Sequence, residues 1–248
     1  DRLADLAEAA AALAERASTT QLTGAEMLRH ALGLEGTPVS GGVSISGEGW
    51  AADLLRSASD VPEASVTPPG FEGELRSYQA EAVSWLGFLD RAGLGGCLAL
   101  DMGLGKTPTV LAHTSASPRG GTTLVIAPPA VVGNWANEAA KFTPGLKAMV
   151  HHGPNRAEAA DIASAIEGSD LVITTYGTAV RDMDTLSTVQ WDRVVLDEAQ
   201  IIKNPTSETA QQLRRLNGRT RLALTGTPIE NGLGDLWAIM DFLNPGLV

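Results

Sequence analysis

Asp101-Met102-Gly103-Leu104-Gly105-Lys106-Thr107 is the stretch best suited to chemistry. It follows an apolar run, Gly96-Cys97-Leu98-Ala99-Leu100, and precedes a helical pattern through Val110, Leu111 and His113. Strand, glycine-rich turn and helix in that order form a phosphate cradle. Glycines let the backbone wrap an anion closely. The first-turn N–H groups of the helix have no partner within it and point at the ligand. Lys106 is placed to reach the outer phosphates, and the Thr107 hydroxyl to hold a magnesium ion. The common pattern is G-x-x-x-x-G-K-[ST], and Leu100 stands at its first glycine position. A Gly-Lys-Thr triplet also arises by chance at ordinary helix starts, so the rest of the chain has to decide.

A second group is Asp197-Glu198, at the end of the apolar run Arg193-Val194-Val195-Leu196. A carboxylate pair closing a buried strand is unfavourable without a cation or hydrogen-bond partners. Magnesium supplies that cation, with Asp197 orienting it. Glu198 is then placed to polarise a water for attack on a terminal phosphate. Alone, the pair reads better as the start of a surface loop. Lys106 and Thr107 upstream shift the balance to a nucleotide site.

These groups need a scaffold, and from Phe71 onward the sequence alternates apolar strands with helical patterns. An amphipathic helix spans Leu75 to Asp90, with Ala82, Val83, Leu86 and Leu89 on one face. Strands are expected near 96–100, 122–127, 147–151, 170–175, 193–197 and 220–225. Helices are expected near 105–116, 131–142, 155–167, 177–187 and 206–216. A last helix carries Leu233, Leu236, Trp237 and Met240. All-apolar strands separated by helices indicate an α/β fold, a parallel sheet covered by helices on both faces. Ligands bind beyond the carboxyl ends of such strands. Ala127-Pro128-Pro129, Thr174-Thr175-Tyr176-Gly177, Asp197-Glu198-Ala199-Gln200 and Thr225-Gly226-Thr227-Pro228 all fall there.

Residues 1–70 differ in texture. Apolar residues repeat at helical spacing over 1–17. Thr23 to Glu26 has the form of a capping box for a helix over 24–32. A short strand near 43–45 and a helix over 49–57 follow. This reads as a small, mostly helical accessory segment. The Ser- and Pro-rich stretch 58–70 places a boundary before a lobe over 71–248.

The 248 residues are 44% hydrophobic and 19% charged, which predicts a packed core. No apolar run approaches the roughly 20 residues that span a bilayer, so no membrane partner is expected. Cys97 is the sole cysteine, which excludes an internal disulfide and suits a reducing, intracellular compartment. A net charge of −11 argues against coating nucleic acid, so any such contact must be local. The cluster Lys203, Arg214, Arg215, Arg219 and Arg221 is the one basic candidate, with a solvated helix face as its default. The chain opens on Asp1 rather than methionine and is expected to be part of something longer.

Taken together, residues 71–248 resemble the Swi/Snf family of helicase-like, ATP-driven DNA translocases. Leu75-Arg76-Ser77-Tyr78-Gln79 with Trp85-Leu86 resembles the family's adenine-recognition motif, and Asp101 to Thr107 its motif I. Leu124 to Pro128 with Asn134-Trp135 and Glu138 resembles motif Ia, and Ile173 to Tyr176 motif Ib. Asp197-Glu198-Ala199-Gln200 with Lys203-Asn204-Pro205 resembles motif II, and Leu224 to Asn231 motif III. The resemblance implies a RecA-like P-loop NTPase lobe, the first of two, with ATP and magnesium as cofactors and double-stranded DNA as partner. It implies that Gln79 reads adenine while Met102, Gly103, Leu104, Gly105, Lys106 and Thr107 hold phosphates and metal. Thr107 and Asp197 would be metal ligands; Lys106, Asp197 and Glu198 would be catalytic. Gln200, Thr225, Gly226 and Thr227 would link nucleotide state to DNA. Asn134, Trp135, Thr175, Tyr176, Lys203 and Asn204 would lie towards the DNA backbone.

The family's second lobe, an expected partner absent from this chain, supplies an arginine to the transferring phosphoryl group. The chain alone is therefore expected to hydrolyse ATP very slowly. Departures from the family pattern are Leu100 for an acidic residue, Pro108-Thr109 for Ile-Gln, and Gln200 for histidine. Abundant alanine and arginine suit a GC-rich bacterial genome, hence cytoplasm and nucleoid, or a nucleus if the source is eukaryotic. Other protein partners stay open. Two alternatives also stand: a strand-separating DNA or RNA helicase lobe, and a non-catalytic interaction module with a vestigial nucleotide site. His151-His152, Cys97, Trp50, Trp191 and Trp237 read as strand-end or packing residues, and His30 and His113 as uninformative.

Overall fold

The computed structural model describes residues 67–116, 121–154, 156–157, 161–229 and 232–246. The elements expected before residue 67, with Trp50, lie outside the described residues, as do Glu230 and Asn231. Helix α1 (Ser77–Ala92) leads into β1 (Gly96–Leu98), α2 (Lys106–Ala116), β2 (Thr123–Ala127) and α3 (Pro129–Phe142). Then come β3 (Ala148–His151), α4 (Ile162–Ile166), β4 (Leu171–Thr175), α5 (Tyr176–Arg181) and α6 (Met183–Leu186). The chain continues through β5 (Gln190–Asp197), a 3-10 turn (Ala199–Ile202), α7 (Glu208–Leu213), β6 (Asn217–Leu224) and α8 (Leu233–Leu243).

The six strands form one sheet in the order β1-β6-β5-β2-β4-β3, and every neighbouring pair is parallel. Each expected strand is present. β5 and β6 begin earlier than their apolar runs, because Gln190 and Trp191 pair with Asn217 and Gly218. Side chains alternate between sheet faces, and the core divides accordingly. Val125, Val195, Leu222 and Leu224 pack with residues of α1, α2 and α3 on one face. Leu124, Leu196 and Ala223 pack with residues of α5 to α8 on the other. The helix expected over 177–187 is two, divided at Asp182. The Asp182 carboxylate is drawn to His151 Nε2 (2.8 Å) and Arg156 Nε (3.0 Å).

The amino-terminal end of the sheet holds a buried ionic cluster. Arg193, 0% exposed, donates to the Asp90 carboxylate of α1. Thr220 Oγ1 donates to the other Asp90 oxygen at 2.9 Å, and His113 Nε2 of α2 lies 3.1 Å from Oδ2. One carboxylate thus ties two helices to β5 and β6. Nothing local in the sequence marks His113 for this role, and Arg193 reads there as part of an apolar run. The basic cluster expected near 203–221 is not a free patch. Arg214 pairs with Asp241, Arg215 with Asp184 and Arg219 with Asp192, while Arg221 donates to the Phe242 and Leu216 carbonyls.

Burial works to raise the Asp90 carboxyl, but its hydrogen bond to His113 and the Arg193 charge outweigh it and hold the group well below the usual range. Burial likewise pushes the His113 imidazole below its ordinary 6.5. Both folded values are depressed, so in both cases the unfolded chain binds protons first as pH falls. His113 withdraws stability below about pH 6.5, and Asp90 withdraws more below about pH 4. Asp90→Ala is expected to lower unfolding free energy by about 3–5 kcal/mol, because it strands a buried guanidinium. Urea unfolding at pH 7.5 checks this, and a loss under about 1 kcal/mol, as for a surface pair, contradicts it.

Candidate nucleotide site

Leu98 of β1 and Asp197 of β5 both stand opposite Leu224 of β6. Two strand spacings, about 10 Å, therefore separate the last residue of β1 from the first carboxylate. The glycine-rich loop leaves β1 just beyond this point. Lys106 opens α2. The four residues on which a nucleotide site depends, Lys106, Thr107, Asp197 and Glu198, leave neighbouring parts of the sheet at one edge. The β6 loop joins them: a Cβ on Gly226 would lie 3.7 Å from Met102 Cγ and 3.9 Å from the Leu100 carbonyl oxygen.

The loop is shaped by two glycines with left-handed φ, Gly103 at 82° and Gly105 at 77°. No atom lies within 4 Å of a Cβ built on Gly103, which leaves that wall open to a ligand. Lys106 Nζ donates to the loop's own carbonyls, Leu100 at 2.9 Å and Asp101 at 3.4 Å. Leu100 is thus used through its backbone, and its side chain packs against the core. Pro108 lies in the first turn of α2, where a missing N–H leaves no intrahelical bond unmade. Gln79 Oε1 accepts from Arg76 N at 2.9 Å while its Nε2 donates to the Leu104 carbonyl at 3.2 Å. Tyr78 Oη donates to the same carbonyl at 3.1 Å. The first turn of α1 therefore braces the phosphate loop, and both ends of the Gln79 amide are engaged with protein.

Asp197 is 8% exposed. Burial pushes its pKa up, the Trp135 hydrogen bond opposes that, and the Glu198 charge adds to it. Trp135 Nε1 donates to Oδ2 at 2.8 Å, and Glu198 N donates to Oδ1 at 3.0 Å. Tyr176 Oη donates to the Asp197 backbone carbonyl at 2.7 Å. Glu198 has φ 52° and ψ 54°, the one left-handed residue other than glycine among those described. Such strain persists only where surroundings enforce it. It begins a relay: Gln200 Nε2 donates to Glu198 Oε2 at 2.7 Å, Thr225 Oγ1 donates to Gln200 Oε1 at 2.9 Å, and Thr227 N donates to Thr225 Oγ1 at 3.0 Å.

The residues expected to face DNA separate into two sets. Asn134 and Asn204 are exposed and Lys203 is half-buried beside Asp235. Trp135, Thr175 and Tyr176 are buried, so their side chains do not reach a DNA backbone from this lobe. Trp135 and Tyr176 hold Asp197 instead, and Thr175 caps α5 by accepting from Thr178 N. Trp237 also departs from expectation, being 46% exposed rather than packed, whereas Trp191 is buried. Burial pushes the Cys97 thiol up to about 11, as expected of a non-nucleophilic residue. Beyond β3 and β4 lies a recess of about 330 Å³, lined by His152, Arg156, Thr175, Thr178 and Arg181 among others. The sequence hinted at it only through His152, at a strand end.

Donors, glycine cradle, lysine and a desolvated carboxylate fit a magnesium–nucleotide complex. A metal cluster built from protein side chains alone is absent among the described residues.

Gly105→Ala meets two obstacles: its φ of 77° and a Cβ 2.3 Å from Gln79 Nε2. The left-handed strain alone is expected to lower stability by about 1–3 kcal/mol. Adding Gln79→Ala should recover only the part due to the collision. Full recovery in chemical denaturation would contradict a backbone origin.

The SNF2-related domain family matches residues 78–248. YwqA of Bacillus subtilis is 45% identical over 196 residues, 77% of this chain and 21% of that protein. The chromatin-remodeling complex ATPase ISW1 of Saccharomyces cerevisiae is 36% identical over 189 residues, 73% of this chain and 17% of that one. The solved Sulfolobus solfataricus SWI2/SNF2 ATPase core in complex with dsDNA superposes with a TM-score of 0.66 at 42% identity, covering 73% of this chain and 38% of the other. The chain thus spans about a fifth of the length of these two relatives and belongs, by its motifs, sheet and matches, to the Swi/Snf family of helicase-like ATPases.

Proposed function

We propose that this chain is the ATP-binding lobe of an ATP-dependent double-stranded-DNA translocase that remodels protein–DNA complexes. The observation that carries the proposal is that the β1 end leading to Lys106 and the β5 end carrying Asp197 and Glu198 flank the same residue of β6, with the β6 loop joined by the Gln200–Thr225 relay. The solved relative in complex with dsDNA supports the choice of partner. The intact site residues speak against a vestigial module.

Thr107 and Asp197 would hold magnesium, which when bound neutralises phosphate charge. Lys106, resting on the Leu100 and Asp101 carbonyls, exchanges those acceptors for phosphate oxygens. Phosphates contact the N–H groups at the start of α2. Glu198, whose backbone is left-handed and whose Oε2 accepts from Gln200, orients the attacking water and takes its proton. Its partner Gln200 then senses the change, and Thr225 carries it to the loop holding Gly226 and Thr227. Met102, 83% exposed, with Ile201 and Ile229 leaves apolar surface around the site. That surface supports closure by a second lobe that would supply an arginine to the transferring phosphoryl group.

DNA would run along the same edge, touching Asn134, Asn204 and the recess of Arg156 and Arg181. Arg181→Glu is expected to weaken duplex binding and to reduce the slope of log affinity against log salt by about 0.9 for each phosphate no longer neutralised. An unchanged slope would remove the recess from the DNA path.

Glu198→Gln in the intact protein is expected to keep nucleotide affinity and lower turnover about 10²-fold or more. Wild-type turnover is expected to rise with duplex DNA and not with RNA. Stimulation by RNA, or equal turnover in Glu198→Gln, would favour the other helicase classes or a non-catalytic module.

A further inference from the structure

Asp197 is held from both faces of the sheet. Trp135 belongs to the core cluster beneath α1, α2 and α3, and Tyr176 to the cluster on the opposite face. The phenol takes the Asp197 main-chain carbonyl and the indole takes its carboxylate. β2 runs beside β5 with Ile126 opposite Leu196, so α3, leaving β2, passes over the end of β5. Trp135 is 0% exposed and lies on the second turn of α3, one residue after the exposed Asn134.

We propose that Trp135 is a positioning residue for the metal-orienting carboxylate: its indole N–H fixes the Asp197 rotamer, and through it the affinity of the site for a divalent cation with nucleotide. This rests on the role assigned to Asp197 above. The geometry favours it over packing alone. Each Asp197 oxygen already accepts one protein donor, Trp135 Nε1 or Glu198 N, which leaves each a further lone pair for a cation. Without the indole donor the carboxylate keeps its burial but is held by the Glu198 N–H alone. Outer partners of this kind are worth about 10–100-fold in metal affinity. Because α3 also carries Asn134 at the edge proposed to meet DNA, a ligand engaging that helix acts on the carboxylate through one side chain.

A control is built into the molecule. Trp191 is equally buried, sits in the opposite cluster and donates its Nε1 to the Leu186 carbonyl at 3.0 Å. Trp135→Phe and Trp191→Phe remove the same donor and leave similar gaps, but only the first touches Asp197. In the intact protein, bound Mn²⁺ is measured by electron paramagnetic resonance as protein is titrated into Mn²⁺ with ADP. ADP binding in EDTA and thermal unfolding are followed in parallel. Trp135→Phe is expected to weaken Mn²⁺ binding about tenfold or more, while ADP affinity in EDTA stays at the wild-type value. Trp191→Phe is expected to leave both unchanged. Wild-type Mn²⁺ binding in Trp135→Phe would overturn the proposal, as would an equal loss in Trp191→Phe. Failure of Trp135→Phe to fold would also overturn it, by making the indole a packing requirement. If wild-type protein itself binds Mn²⁺ no better than Lys106→Ala, the nucleotide-site reading fails, and the inference with it.

Discussion

The carboxylate of Asp197 is buried at the end of β5, directly after the apolar run Val194-Val195-Leu196, and the lobe is arranged to make that tolerable. Desolvation disfavours its charged form, and the Trp135 indole, the Glu198 N–H and the Lys106 charge oppose it, while the Tyr176 phenol holds the main-chain carbonyl. A carboxylate so held has few free directions. It cannot swing freely, and the strand order brings the loop leading to Lys106 and Thr107 to the same edge of the sheet. The same fixity makes the site sensitive to small shifts of α3 and α5, which carry the donors.

The sheet supplies the rest by topology. β1 lies at one edge and β2 three positions away, so the phosphate loop and the α3 helix are separated by β6 and β5. The β5 and β6 loops are enclosed between them, and a relay from Glu198 to Thr227 therefore needs no more than side-chain length. The far end of the sheet is built differently. There Asp90, His113 and Arg193 lock α1 and α2 onto β5 and β6. One end is fixed by ion pairs, and the other carries the strained Glu198 and the proposed nucleotide site.

Six strands were legible because each contains a short run of mostly apolar residues, and the parallel arrangement followed from the helices between them. The phosphate loop and the Asp197-Glu198 pair were legible because their residue types are uncommon at strand ends. Partnerships across the sheet were not. Trp135 and Asp197 are 62 positions apart, and Asp90 and Arg193 are 103 apart, and nothing local marks either pair. The motif containing Asn134-Trp135 looked like a single surface because its residues are adjacent in sequence. A helix turns adjacent side chains by about 100°, so Asn134 meets solvent while Trp135 meets the core. Likewise Arg214 to Arg221 looked like a basic patch in one dimension, and in three dimensions their partners come from Asp184, Asp192 and Asp241.

The proposed activity requires Lys106, Thr107, Asp197 and Glu198 to serve one bound nucleotide. Anomalous diffraction from Mn²⁺ in crystals of the intact protein grown with ADP tests this most directly. One strong peak is expected between the Thr107 hydroxyl and the Asp197 carboxylate, with phosphate density over the start of α2. A nucleotide bound elsewhere, or a metal peak remote from Asp197, would contradict it.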